Sequence, residues 1–95
     1  MSERETSQKI LDALKLAATK PAQDALTDLN SLIPLVQGGG AQELEAEEAR
    51  ASAFLAICEL GKALHRGQPA ERLHAAAITA AERWAAVVIK PGSPL

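Results

Sequence analysis

The sequence predicts an all-helical fold, a small four-helix bundle built from two helical hairpins, and three observations carry this. Alanine supplies 20 of the 95 residues and leucine 13, which favours helix. Valine and isoleucine together number eight, tyrosine is absent, and Phe54 and Trp84 are the only aromatic residues. That is too little β-branched and aromatic content to pack a pleated sheet. Proline and glycine then divide the chain at Pro21, at Gly38-Gly39-Gly40, at Gly67-Gln68-Pro69 and at Pro91-Gly92, and each piece between them carries apolar residues at helical spacing. An apolar fraction of 47% excludes a disordered chain. The length suits one domain, residues 1–90, with a flexible tail over 91–95.

The first helix is expected over 3–19. Ser2 followed by Glu5 reads as a capping box, in which hydroxyl and carboxylate each satisfy a backbone N–H. Ile10, Leu14 and Ala17, with Leu11 and Ala18, form its apolar stripe, and Leu16 lies off it. The second helix is expected over 21–37, with Pro21 at the first helical position. Ala22, Leu26, Leu29, Ile33 and Val36 alternate spacings of four and three. Pro34 lacks an N–H and its ring opposes the carbonyl of Asn30, so a kink or break is expected near Ile33.

The third helix is expected over 41–66. Glu43, Glu45, Glu47 and Glu48 match the positive end of its dipole, and Gly67 fits the left-handed position that ends it. Ile57, Leu60, Gly61 and Leu64 form one face. Phe54, Cys58 and Ala51 extend it on one flank, and Ala53 and Ala56 on the other. Gly61 is expected at a close helix crossing. The fourth helix is expected over 69–89, with Pro69 in its first position. Leu73, Ala77, Ala80, Trp84 and Val87 form its seam, and Ile78, Ala85 and Ile89 a second apolar line. Four short helices cannot readily cover two faces on each of two members, so a twofold dimer is expected.

Charge and cysteine narrow the function classes. Ten basic residues face twelve acidic ones, for a net charge of −2, and the lysines and arginines are scattered. This argues against nucleic acid as the partner, because phosphate binding needs a concentrated basic face. Cys58 is the single cysteine, so no intrachain disulfide forms. The charged start and the lack of a long apolar run predict a cytoplasmic protein without a membrane anchor.

The best-defined chemical candidate is Glu71-x-x-His74, which sets a carboxylate and an imidazole one helical turn apart. This pair resembles the ExxH of the encapsulated ferritins, small helical subunits that complete di-iron sites across a dimer. The resemblance implies a metal at Glu71 and His74 and an inward glutamate from a second helix. Glu59 stands at a suitable level, but its direction is the polar strip. The segment 57–80, with Leu60-Gly61 and Leu64, also resembles one tetratricopeptide hairpin. Cys58, His65 and His74 share a side of the second hairpin. Cys58 and His65 lie about 10.5 Å apart along the axis, too far for one metal. A phosphotransfer histidine would be followed by lysine and glycine, whereas His74 precedes Ala75, Ala76, Ala77 and Ile78. The three glycines at 38–40 lack the lysine and hydroxyl of a phosphate loop.

The residues therefore favour a non-enzymatic interaction module, an adaptor, inhibitor or regulatory subunit, with no cofactor and another protein as partner. Ile78, Ala85 and Ile89, with Glu43, Glu47 and Glu48, are its expected contact surface. A metal-dependent enzyme using Glu71 and His74, and a nucleic-acid-associated regulator, are the alternatives.

Overall fold

A computed structural model describes residues 3–37 and 44–88. They form α1 (Glu3–Ala17), α2 (Ala22–Gln37), α3 (Leu44–His65) and α4 (Glu71–Val88). Each helix packs on two neighbours: α1 on α2 and α4, and α3 on α2 and α4. The backbones of the diagonal pairs α1/α3 and α2/α4 do not approach closely among the described residues. One cleft draws lining residues from both the α1–α2 and the α3–α4 turns, so these turns share one end of the molecule. The result is an up-down-up-down four-helix bundle. The expected sites Ser2, Glu43 and Ile89 lie outside the described residues, as do Gly38-Gly39-Gly40 and the tail.

Trp84 is fully buried at the centre of a core that also contains Ile10, Leu14, Leu29, Val36, Ile57 and Leu60. In α1 the expected Ile10, Leu11, Leu14 and Ala17 are buried, while Ala18 is exposed beyond the helix end; the buried line extends backwards to Ser7, whose hydroxyl donates to the Arg4 carbonyl at 2.9 Å. Leu16 is exposed, as expected. In α2 the buried line is Ala25, Leu29, Leu32 and Val36. Leu26 and Ile33 flank it and Ala22 is exposed. Both lines have the same four-three spacing and share Leu29 and Val36, and packing against α1 and α3 selects between them.

The helix ends show their causes. After Ala17 the chain tightens, with Thr19 N donating to the Leu16 carbonyl and Lys20 N to that of Ala17. Lys20 then pairs with Asp28 at 2.7 Å across the turn. Pro21 is not the first helical residue. Its carbonyl accepts from Ala25 N at 2.9 Å, which makes it the N-cap of α2. Ala70 caps α4 in the same way, accepting from His74 N at 2.8 Å, so Pro69 lies outside the helix. At the end of α3, Gly67 takes a φ of 69°. Gln68 N donates to the Ala63 carbonyl at 2.9 Å and Gly67 N to the Leu64 carbonyl at 3.2 Å, the two bonds of a Schellman motif.

Two expectations need correction. Of the kink or break expected near Ile33, the break is absent: α2 runs through Pro34 to Gln37. Pro34 is exposed, so its ring projects away from the core. Gly61 does not mark a close crossing, because a Cβ built there would meet no heavy atom within 4 Å outside its own helix backbone and chain neighbours. No helix among the described residues is long and apolar enough to cross a membrane.

Candidate functional site

Two features stand out once the bundle is assembled: a cleft at the end that holds the two hairpin turns, and the outward face of α3.

The cleft has a volume of about 500 Å³. Its apolar wall includes Ala25 from α2, Leu64 from α3 and Ile78 from α4, and its polar groups include Lys20, Glu71 and His74. Glu71 is exposed and His74 half-buried. The structure thus brings the two members of the ExxH pair to one cleft. His74 Nε2 is shielded from solvent without a hydrogen-bond partner among the described residues. Loss of hydration around the ring lowers the His74 pKa from its ordinary value of 6.5, which favours the neutral imidazole. Lys20 is held by Asp28. Glu59, the carboxylate considered as a third ligand, is exposed and reaches Lys62 at 3.5 Å instead. No group of three or more metal-ligating side chains is present among the described residues. Cys58 is half-buried and His65 exposed, so the bundle does not gather them with His74.

The outward face of α3 has a different character. About 100° of turn per residue separates α3 into an inner and an outer half. Ala46, Ala49, Ala53, Ile57, Leu60 and Ala63 line the inner half and are buried. Leu44, Ala51, Leu55 and Lys62 point the opposite way and are exposed, with Cys58 and Glu48 beside them. Leu44 is 75% exposed and Leu55 64%, and with Leu16 they are the exposed large hydrophobic residues among those described. Leu55 escapes a sequence reading because it sits among the polar residues Ser52, Glu59 and Lys62. The signal was its spacing of eleven residues from Leu44, close to three full turns.

The remaining expected contact residues divide. Ala85 is 5% exposed and belongs to the core, so it cannot serve a surface. Its small side chain lets α4 pack closely there. Ile78 is half-buried, lines the cleft and packs on the core. Glu47 is engaged by Arg50 through two hydrogen bonds, from Nε to Oε2 and from Nη2 to Oε1. Arg50 Nη1 also donates to the Val36 carbonyl at 2.9 Å. This places a cation against the last turn of α2, which carries no basic residue of its own. Glu48 stays exposed. Of the two helices expected to have apolar surface left over, α3 exposes the leucines, whereas the apolar contact residues expected on α4 are buried at Ala85 and half-buried at Ile78.

No protein-family model, curated protein or solved structure matches the chain.

Proposed function

We infer that the protein is a non-enzymatic helical interaction module, an adaptor, inhibitor or regulatory subunit that presents one rigid helix face to another protein. One observation carries this reading. From Leu44 to Leu55, α3 buries only alanines, Ala46, Ala49 and Ala53, while the two leucines that bound this stretch face solvent; beyond it Ile57 and Leu60 are buried. Burying a leucine contributes about 1.5–3 kcal/mol, and Leu44 and Leu55 bring the monomer none of it at positions where alanine would serve the helix as well. Their exposure supports a contact outside the monomer.

A photo-crosslinking residue tests it. Leu55→p-benzoylphenylalanine, placed in the protein in its source cells, should give light-dependent adducts. The same group at Gln23, exposed on α2, should not. Equal or no adducts at the two positions would overturn the reading.

A second reading, a metal-dependent helical enzyme completed across a dimer, is favoured by the meeting of Glu71 and His74 in one cleft. Stoichiometric iron or zinc in the purified protein, lost in His74→Ala, would support it.

A further inference from the structure

We propose that the outward face of α3 pairs with the same face of a second copy, antiparallel, about a twofold axis at Leu55. The inference rests on the reading of this face as an interaction surface and adds the partner and the register. The argument comes from how charge is laid out along the helix. Glu48 lies seven residues before Leu55 and Lys62 seven residues after it, about 10.5 Å to either side along the axis. Both are exposed and lie on the outward half with Leu55. An antiparallel copy centred on Leu55 sets Glu48 level with Lys62 of the second chain, and the symmetry repeats the pair. Leu55 meets its own equivalent, and Leu44 lies level with Arg66, whose aliphatic stem can cover it.

A parallel pairing would oppose Glu48 to Glu48 and Lys62 to Lys62, so charge selects the antiparallel arrangement. Antiparallel helix dipoles favour it too. The geometry is self-complementary in the sense a twofold interface requires: residue i meets j, and j meets i. Among the described residues Lys62 makes a long contact of 3.5 Å to Glu59, with both side chains about 60% exposed, so it is available to a closer partner. One helix pair makes a small interface, so association is expected to be weak and reversible.

Three measurements on the full chain test this. Sedimentation equilibrium at low salt, from about 10 µM to about 1 mM, should show a reversible monomer–dimer equilibrium. Glu48→Lys and Lys62→Glu should each weaken it about tenfold or more, because each turns two attractive pairs into two repulsive ones. The double variant Glu48→Lys/Lys62→Glu should return to within about threefold of the starting protein. Far-UV circular dichroism checks that each variant keeps its helices. Leu55→Cys in a Cys58→Ser background should oxidise to a disulfide-linked dimer faster than Gln23→Cys in the same background, since an on-axis pair can bring the two Cβ atoms to the roughly 3.5–4.5 Å a disulfide needs.

A monomer across the whole range would overturn the proposal. So would a dimer whose strength the double variant fails to restore. The crosslinking experiment keeps the two readings apart. Adducts at Leu55 of twice the chain mass alone support the self-pairing and overturn the presentation of this face to another protein. Adducts only of other masses leave the interaction reading standing and overturn the self-pairing.

Discussion

Two glycines in and beside α3 should respond to alanine with opposite signs, and the structure sets both magnitudes. Gly61 is inside the helix with ordinary helical geometry, and a Cβ there meets nothing within 4 Å. Alanine is better than glycine in a helix interior by about 0.8–1.0 kcal/mol, much of it from the freedom glycine loses on folding. No packing clash offsets this gain. Gly61→Ala should therefore stabilise the protein by about 0.8–1 kcal/mol, raising the melting temperature by roughly 3–8 °C for a domain of this size. Gly67 is different because its φ of 69° lies in the left-handed region. An L side chain there costs about 1–2 kcal/mol, against about 0.4–1 kcal/mol recovered by restricting the unfolded chain. Gly67→Ala should thus destabilise by about 1 kcal/mol, although its Cβ would also meet open space. Urea unfolding followed by circular dichroism, at one fixed protein concentration, measures both. Loss of stability in Gly61→Ala would mean that the open space beside α3 is not there. Equal signs for the two variants would refute the assignment of backbone conformation at Gly67.

Other positions make further tests. Trp84→Ala should cost about 3–5 kcal/mol, since it empties the largest site in the core, and thermal unfolding would show whether a folded population survives. Trp84→Phe should cost much less, because it also removes the indole N–H, which is buried without a partner among the described residues. Pro34→Ala restores the N–H facing the Asn30 carbonyl and removes no buried surface, so urea denaturation should show a gain on the order of 1–3 kcal/mol. Stability should fall with acid through His74: its folded pKa lies below the unfolded value of 6.5, so the unfolded chain binds more protons between the two. The contribution is intact above pH 6.5 and is lost progressively as the pH drops towards the folded value. Urea midpoints from about pH 5 to 7.5 should show this slope, and His74→Gln should reduce it. Leu55→Lys should change monomer stability by no more than about 0.5 kcal/mol, as expected for a side chain outside the core.

The fold was legible in the sequence to the level of four helices and their order, because proline and glycine fall between the periodic segments. The helix starts were legible less closely. Pro21 and Pro69 suit a first helical position by their fixed φ, yet the observed caps are Pro21 and Ala70, and only the hydrogen bonds to Ala25 and His74 reveal it. The buried line of α2 was ambiguous for a geometric reason. Leu26 and Ile33 lie within one apolar arc with Ala25 and Leu32, and a single sequence does not say where the neighbouring helices cross. The cleft was out of reach as a whole. Glu71 and His74 are one turn apart and could be paired on paper, but Lys20 and Ala25 come to them only through the meeting of two hairpin turns.

The surface of α3 shows how an alanine-rich helix hides its own polarity. In its first half apolar residues stand on the inner and outer sides alike, so no single face dominates and periodicity cannot tell core from contact. Size settles what hydrophobicity leaves open. The inner side takes alanines because the larger side chains of its neighbours, Leu29 and Val36 of α2 and Trp84 of α4 among them, fill the shared core. A leucine at Ala49 or Ala53 would overfill a packed interior and strain the bundle. A leucine at Leu44 or Leu55 meets no such limit and brings the monomer little. The two kinds of apolar residue thus answer to different constraints, the alanines to the distance between helices and the leucines to whatever covers them. On the proposed pairing, stability and association change independently along one helix, with the inner positions governing the first and Leu44, Glu48, Leu55 and Lys62 the second.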